Sequence, residues 1–369
     1  MEASGKMRGR CGAVLVDPGR DHAWEKLVRE HAHAVPAHLE GWRRMLIHDF
    51  PHLDAVYLGI RDTGEMAAGL PLFYARSRLA GNRLLGLPFA TFADPLVETR
   101  SQLHDLLDAA RVEAGRLGAD RIELRCTRTA DLAQACGMVP TRRYKIHILR
   151  LDRRPEQLLK SFDRTCVRQQ IKKSLKGDLE LFPVRGPAGV GEFYRLYVLT
   201  RKRLRLPPQP PELFAGLFRE LGPTGNAEIL LARRDGVVVG GLFTLRHGRR
   251  TSFEHVGVDP AYRGPSVFHF LYWKGILRAI EQGSEEVDFG RTDETNIGLM
   301  KFKERWNTEA SDLVHLELPT SGGHVSGESA PGSNASPHSF RYRALQKACD
   351  LAPNPALIRL GRFCYKHYM

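Results

Sequence analysis

The sequence predicts an α/β fold in which a mixed β-sheet with packed helices occurs twice in tandem. Two short segments recur in the same order along the chain: Gly64 aligns with Gly236, and residues 118–124 then align with residues 283–289. Each copy also carries the same local pattern of two apolar runs joined by a tight turn, then an amphipathic helix, then a short strand. Because a repeated order of elements indicates a repeated unit, we expect a duplicated domain.

The hydrophobic pattern of the second copy is the clearer of the two. Asp235 and Gly236 form a tight-hairpin signal between two β-branched runs. Pro265 and Gly283 stand where a helix would begin and end. The pattern predicts strands at residues 227–234, 237–246, 251–258 and 286–289, and helices at residues 155–176, 189–206, 267–282 and 298–306.

The first copy repeats this order with weaker signals. Its pattern predicts strands at residues 55–61, 65–76 and 121–126 and a helix at residues 101–117, and residues 145–151 are expected to open the second copy. We therefore expect an N-terminal domain at residues 12–144, a C-terminal domain at 145–319, a linker at 320–338 and a helical tail at 339–369.

Composition limits the class of protein. Hydrophobic residues make up 42% of the 369 residues and charged residues 26%, which is typical of a folded protein and excludes fibrous and disordered classes. The formal net charge of +13 implies an anionic partner.

The 6 cysteines include no CxxC pair and have no zinc-type spacing with histidine, so we expect reduced thiols and no metal site. Residues 1–10 contain no apolar segment typical of a secretory signal, and no run approaches the ~20 apolar residues of a membrane helix. We expect a soluble, cytoplasmic protein.

The composition changes after Pro319. Residues 320–338 are rich in Ser, Gly and Pro without periodicity, which predicts a flexible linker. Two short basic amphipathic helices are predicted beyond it, at residues 340–350 and 355–368. Such a tail either makes peripheral membrane contact on an anionic bilayer or folds back onto the body of the protein, and the pattern suits both.

Three stretches of the chain resemble a known family. They are residues 69–89, the segment Asp259-Pro-Ala-Tyr-Arg263, and the segment Val287-Asp-Phe-Gly-Arg-Thr-Asp293 followed by Phe302-Lys-Glu-Arg-Trp306. These stretches resemble the Fem-type (FemAB-related) proteins, which are tandem GNAT-fold acyl- and aminoacyltransferases. They are also similar to the BioF2-like, cellulose-biosynthesis group of acetyltransferases. The likeness spans roughly residues 12–318 and implies two tandem GNAT-like domains.

The resemblance implies an N-acyltransferase of cell-envelope metabolism, peptidoglycan included, or of exopolysaccharide metabolism. An amine of a small-molecule or cell-envelope precursor would attack an activated acyl carbon held in the cleft of the second domain. The donor would be an aminoacyl-tRNA, an acyl-CoA or an acyl-carrier protein, each a co-substrate and not a tightly bound cofactor. The alternative is a non-catalytic tandem GNAT module recruited to an anionic partner or a membrane, which the basic C-terminal helices and the single glycine in residues 261–266 favour.

Three residues are the candidates for the chemistry. Lys303 matches a family lysine that lies in the cleft, and a cation there would stabilise the negative charge that develops on the carbonyl oxygen. A general base must take a proton from the attacking ammonium, and Asp288 and His255 are the two options. The first copy has no counterpart of Lys303, so the resemblance implies that it shapes acceptor binding and does no chemistry.

Substrate contacts are expected around these residues. Arg291 follows a strand end, where its planar fork suits a phosphate or carboxylate, unless it pairs with a neighbouring aspartate. The candidate binding residues are Arg291, Tyr262, Arg263 and Phe302 in the second domain, and Phe89 and Asp94 in a first-domain loop that matches the family's acceptor side.

A basic stripe lies outside these motifs. Arg164, Arg168, Lys172 and Lys176 are spaced four residues apart, which places them on one face of the predicted helix. The stripe is either a patch for an anionic partner, such as tRNA or an acidic carrier protein, or an ordinary solvated face.

Overall fold

A computed structural model describes residues 12–262, 266–320 and 340–368, with the side chains of 340–343 and 368 left out. Arg263 lies outside the described residues, and so does the predicted linker except for Thr320. Within these residues the protein is a single mixed sheet covered by helices on both faces.

The elements follow the predicted order closely. The strands are β1 Val14–Val16, β2 Leu53–Asp62, β3 Glu65–Ala75, β4 Arg83–Gly86, β5 Arg121–Cys126, β6 Val139–Arg150, β7 Glu180–Pro183, β8 Ala227–Arg234, β9 Val237–His247, β10 Arg250–Val258, β11 Glu286–Asp293 and β12 Glu309–Pro319. The helices are α1 His22–Glu30, α2 Glu40–Asp49, α3 Arg100–Leu117, α4 Ala130–Ala135, α5 Pro155–Ser161, α6 Gln169–Leu175, α7 Pro187–Arg203, α8 Pro211–Leu221, α9 Val267–Glu281, α10 Ile297–Glu304, α11 Phe340–Leu351 and α12 Asn354–Tyr368. Shorter helical turns span Pro36–His38, Arg164–Arg168 and Pro260–Tyr262.

The sheet contains the same arrangement twice, with the last strand of each half exchanged. Its order is β1-β2-β3-β4-β5-β12-β6-β11-β10-β9-β8-β7. Strands β1–β5 and β7–β11 repeat one pattern, in which β4 runs parallel to β5 and β10 runs parallel to β11. The final strand β6 of the first half pairs with β11, and β12 pairs with β5. The predicted limit between residues 144 and 145 thus falls within β6.

Local sequence explains why the hairpins form where they were predicted. Gly64 and Gly236 occupy equivalent turns, between β2 and β3 and between β8 and β9, and both have positive φ, at 92° and 77°. Glycine adopts this conformation without the steric cost that a Cβ atom brings. The two aligned glycines therefore mark one structural position in two copies.

Each face of the sheet has its own core. On one face α3 and α4 cover the first half, and α5, α6 and α9 cover the second, in two separate clusters. On the other face α1, α2, α7 and α8 share one continuous core that spans both halves. Ion pairs between α2 and α8 cross the same boundary, with Arg44 2.8 Å from Glu220 and Arg219 2.9 Å from Asp49. The two halves are consequently packed as one body on this face.

The prediction of one continuous helix over residues 155–176 is wrong. Phe162 and Asp163 interrupt it, leaving α5, a π-helical turn at Arg164–Arg168 and α6. Asp163 accepts hydrogen bonds from the backbone N–H groups of Thr165 and Cys166, at 2.9 and 2.6 Å, and so begins a new helical segment. Phe162 is meanwhile buried against Trp306, which pulls the chain toward the core.

The C-terminal tail packs against the body. Cys349 and Leu357 are fully buried in a small cluster with Val198 of α7. Tyr365 stacks on Phe89 of the first half, with ring centroids 6.0 Å apart. The described part of the tail therefore adopts the fold-back arrangement, one of the two expected, and membrane contact through residues 339–369 stays a prediction. None of the described helices combines the length and apolar character needed to cross a bilayer.

The strand exchange predicts that β12 stabilises both halves together. Leu316 of β12 is fully buried in the core of the first half, so Leu316→Ala should lower the free energy of unfolding by about 2–5 kcal/mol. Chemical denaturation should show one transition, shifted as a whole. The matched control Val112→Ala, at a side chain 72% exposed on α3, should change stability by less than about 0.5 kcal/mol. Two transitions, of which only one moves, would contradict the shared role of β12.

Candidate active site

A notch opens where the parallel strands β10 and β11 separate. The two strands pair from Arg250 to Ser252 against Glu286 to Asp288, and over the described residues their pairing extends no further. A bulge between Phe253 and His255 turns β10 away at this point. Ligands of open α/β sheets bind at such carboxyl ends, where adjacent strands leave backbone and side chains accessible.

Lys303 reaches this notch from α10. The helix begins at a cap in which the Asn296 side chain accepts a hydrogen bond from the N–H of Leu299, at 3.1 Å. It is anchored at its other end by Trp306, which is fully buried against Phe289 of β11. The Trp of the Phe-Lys-x-x-Trp motif thus fixes the helix, and the Lys points from it toward the strand end.

The ammonium of Lys303 is buried and held by backbone carbonyls. The side chain is 5% exposed, and Nζ donates hydrogen bonds to the carbonyl oxygens of Gly290 and Arg291, at 2.7 and 3.1 Å. Burial lowers the pKa of Lys303 to about 8, against the opposing attraction of Asp288. At neutral pH the group is a desolvated cation beside the end of β11.

Asp288 forms the floor of the notch. It is 2% exposed, and its Oδ1 accepts a hydrogen bond from the N–H of Gly290, at 2.7 Å. Burial raises its pKa, while Arg250, the Gly290 N–H and Lys303 act in the opposite direction. The charge of Asp288 therefore interacts with those of Arg250 and Lys303.

Glu254 is a candidate that the sequence did not reveal. It lies at the bulge of β10, and burial together with the charge of Asp288 raises the pKa of Glu254 to about 8. The only sequence signal is a carboxylate within a predicted strand, next to His255. The bulge that turns this side chain into the notch has no local signature in the sequence.

The notch continues into a pocket shared by the two halves. Its second-half wall includes Glu254, Asp288 and Gly290. The other lining residues are Leu245, Ser252 and Phe253 of the second half, and Val35, Pro36, Ala37, Trp42, Ala90, Thr91 and Phe92 of the first half. A ligand in this pocket would contact both copies at once.

The first-half loop at residues 89–95 is held rigidly against this pocket. Asp94 is 1% exposed, and its carboxylate accepts hydrogen bonds from the backbone N–H groups of residues 127–129 and from the hydroxyls of Thr127 and Thr129, at 2.8–3.1 Å. Asp94 is thus placed to position the loop, and its predicted role in ligand binding stays a prediction. Phe89 packs between Phe50 and Tyr365, and the pocket wall is formed by the residues that follow it.

His255 lies apart from Lys303, among aromatic rings. Its ring centroid is 5.0 Å from that of Tyr197 and 5.2 Å from that of Phe214. Burial and the charge of Arg201 lower the pKa of His255 to about 3. An imidazole with such a low pKa takes up a proton poorly at neutral pH, so Glu254 suits the role of a base better.

The remaining predicted contact residues surround the notch unevenly. Arg291 is exposed, and its guanidinium carbon lies 5.0 Å from the ring centre of Tyr144; within the described part of the chain it forms no ion pair with either neighbouring aspartate. Phe302 packs against Phe268, with ring centroids 5.4 Å apart. Tyr262 lies in a short turn against the second-half core. The role of each in binding stays a prediction.

The basic stripe does not lie on one regular helix. Arg164 and Arg168 belong to the π-helical turn, Lys172 to α6, and Lys176 follows the end of α6. Arg168 is partly buried and the other three are exposed. The binding of the basic stripe to an anionic partner stays a prediction.

In the part of the chain that the structure describes, no three His, Cys, Asp or Glu side chains converge to hold a metal ion.

Comparisons with known proteins agree with this architecture. Residues 161–304 match the family model for an acetyltransferase (GNAT) domain, a segment that includes Glu254, Asp288 and Lys303. A crystal structure of FemX superposes with a TM-score of 0.69 at 16% identity, covering 82% of this chain and 96% of that one. The comparisons thus show a match to a GNAT acetyltransferase domain over residues 161–304 and the tandem GNAT fold over most of the chain. The prediction of two tandem GNAT-like units is thereby confirmed.

Two further solved structures have a related fold. One is a tandem GNAT protein from the clavulanic acid biosynthesis pathway, with a TM-score of 0.54 at 14% identity, covering 85% of this chain and 99% of that one. The other is the L-PGS of Bacillus licheniformis, also with a TM-score of 0.54 at 14% identity, covering 82% of this chain and 91% of that one. No curated protein sequence matches the chain. At these identities the structural likeness establishes the fold.

The buried lysine of the GNAT domain predicts a pH-dependent stability. Since the folded protein releases the Lys303 proton near pH 8 and the unfolded chain near 10.5, the unfolded chain binds more protons between these values. The free energy of unfolding of the wild type, minus that of Lys303→Met, should therefore increase as the pH is raised from 8 to 10.5, by up to about 3 kcal/mol. Denaturant titrations from pH 7 to 11 measure this difference. The exposed Lys301→Met on the same helix should give a flat difference; a flat difference for Lys303→Met as well would contradict the buried cation.

Proposed function

We propose that the protein is an N-acyltransferase that moves an acyl or aminoacyl group from an activated donor to an amine bound in the pocket between the two halves. The observation that carries the proposal is the placement of a carboxyl and an ammonium around the same break in the sheet. Glu254 lines the pocket beside Asp288, and Lys303 donates a hydrogen bond to the carbonyl of Gly290, another lining residue. Burial shifts the pKa of each group to about 8. Titratable groups shifted toward neutral pH in a cleft are typical of acid–base sites.

Each group has a distinct task in the transfer. Glu254, ionised, takes a proton from the ammonium of the acceptor and leaves a nucleophilic amine. The amine nitrogen forms a bond to the acyl carbon, and the bond from that carbon to the donor's sulfur or oxygen then breaks. Lys303 stabilises the negative charge on the carbonyl oxygen between these steps. The attacking nitrogen gives up its second proton as the amide forms, and the leaving thiolate or alkoxide takes up this proton.

Asp288 acts on both groups without contacting the substrate in this scheme. Its charge raises the pKa of Glu254 and also opposes the loss of the Lys303 proton. We therefore assign it a positioning and electrostatic role. His255 has no task here, because an imidazole with a pKa of about 3 takes up a proton poorly at neutral pH.

The donor and acceptor classes follow from the Fem-type resemblance. The donor is an aminoacyl-tRNA, an acyl-CoA or an acyl-carrier protein, and the acceptor is a precursor of cell-envelope or exopolysaccharide metabolism. The support is the fold shared with FemX and with the L-PGS of Bacillus licheniformis, together with a pocket lined by residues of both halves. The rigid loop anchored by Asp94 would shape the acceptor side of that pocket.

The pH dependence of transfer tests this assignment. Activity needs Glu254 ionised, which requires a pH above its pKa, and Lys303 protonated, which requires a pH below its pKa, so kcat/KM should follow a narrow bell centred near pH 8. Glu254→Gln should lower kcat/KM by about 10²–10⁴-fold and remove the rising limb. Lys303→Met should lower kcat by about 10²–10³-fold and remove the falling limb.

The assay follows acylation of an amine panel by mass spectrometry, with acetyl-CoA, acyl-carrier protein and charged tRNA as donors. The exposed Glu304→Gln and Lys301→Met on α10 are the matched controls and should keep both limbs. Full turnover by Glu254→Gln with an unchanged pH profile would remove Glu254 from the mechanism. Full turnover by Lys303→Met would do the same for Lys303.

A further inference from the structure

Three arginines converge on the middle of the sheet, beside the pocket. Arg125 of β5 lies opposite His315 of β12, and His315 lies opposite Arg142 of β6. Arg291 extends from β11, the next strand along. The strand exchange alone brings these positions together, because β12 and β6 stand between β5 and β11. We refer to Arg125, Arg142 and Arg291 as the arginine cluster.

Tyr144 is the centre around which the cluster is arranged. Arg142 Nη1 donates a hydrogen bond to Tyr144 Oη, at 3.0 Å, and the guanidinium carbon of Arg291 lies 5.0 Å from the ring centre. The ring of His315 is 4.9 Å from that of Tyr144. The hydrogen bond to the Tyr144 hydroxyl holds Arg142, and stacking on the Tyr144 ring holds Arg291, so both guanidinium groups lose less entropy on binding a ligand.

The cluster is connected directly to the pocket. Arg125 Nη1 donates a hydrogen bond to the carbonyl of Ala90, at 2.9 Å, and Ala90 lines the pocket. Arg291 follows Gly290, another lining residue, and its own carbonyl accepts a hydrogen bond from Lys303. A group bound by the cluster would therefore lie next to the place where the amine reacts.

The positive charge of the cluster is only partly balanced within the protein. Across the described residues, none of the three arginines forms an ion pair with a carboxylate within 4 Å. Glu123 attracts Arg125, and Asp293 and Glu317 attract Arg142, but these carboxylates also bind other groups: Glu123 lies 2.7 Å from Arg121, Glu317 lies 3.9 Å from Arg121, and Asp293 accepts hydrogen bonds from Thr295. The cluster thus brings three like charges together without a carboxylate in direct contact.

The pKa values of Arg125 and His315 show the effect of this repulsion. Burial and the charge of Arg291 lower the pKa of Arg125 to about 10. Burial and the three arginines lower the pKa of His315 to about 2, and its Nε2 is buried without a hydrogen-bond partner. An anion among these groups would relieve the repulsion and accept several charge-assisted hydrogen bonds.

We propose that the arginine cluster binds an anionic group of the acceptor substrate, a phosphate or a carboxylate, and so orients its amine toward Glu254. The proposal rests on the proposed function for the identity of the ligand as acceptor, but the anion site itself stands on the cluster alone. Guanidinium forks recognise the oxygens of either anion in pairs. The acceptor is accordingly expected to carry a negative charge near its amine.

Direct binding of simple anions tests the site without any transfer assay. Inorganic phosphate, pyrophosphate and succinate are titrated into the full-length protein at constant ionic strength by calorimetry. The double substitution Arg142→Gln with Arg291→Gln should weaken binding of the preferred anion by at least about tenfold, since each arginine contributes charge-assisted hydrogen bonds. The preferred anion distinguishes a phosphoryl from a carboxylate ligand.

Matched variants separate this site from the chemistry. Arg185→Gln, at an exposed arginine distant in sequence from the cluster, should bind the anion like the wild type, and Glu254→Gln should also retain binding. Anion binding that is absent in the wild type, or unchanged in the double variant, would overturn the proposal. Anion binding that is present and lost in the double variant, with no transfer by the wild type, would instead keep the site and reject the acyltransferase assignment.

Discussion

The exchange of β6 and β12 between the two halves determines the rest of the structure. Each strand completes the sheet of the other half, so β12 contributes Val314, Leu316 and Leu318 to a core that is otherwise built from the first half. The hydrophobic burial of these side chains supplies the energy that holds the halves in register. Because the central strands cannot leave without exposing two cores, the relative position of β5 and β11 is fixed.

That fixed geometry produces a cleft with unusual electrostatics. The parallel strands β10 and β11 separate at Ser252 and Asp288, and the first-half loop anchored by Asp94 closes the opposite wall. Groups in this cleft lose contact with water, so a carboxyl gains and an ammonium loses proton affinity, as Glu254 and Lys303 both do. The same exchange assembles three arginines from three strands beside it. Acid–base chemistry and anion recognition therefore both follow from how the sheet is joined.

The sequence predicts what depends on local pattern and misses what depends on distant pairing. The hairpin from β8 to β9, helix α9 and strand β5 are readable, since alternation, turn residues and helical spacing are set by neighbours in the chain. Lys303 was found through its motif. The insertion of β12 beside β5 carries no local signal, and the break at Phe162 depends on its packing against Trp306. Glu254 could not be identified, because its raised pKa depends on burial in the folded protein and on Asp288, far along the chain.

The central claim is that the cleft holds a carboxyl group at Glu254 that stays protonated until about pH 8. Infrared difference spectroscopy across pH 6–10 observes the protonated carboxyl directly, in the absence of any substrate. We predict a carboxyl band that disappears near pH 8 in the wild type and is missing in Glu254→Gln, while Glu304→Gln retains it. A wild-type spectrum in which no carboxyl titrates above about pH 6, as expected of ordinary exposed glutamates, would contradict the account.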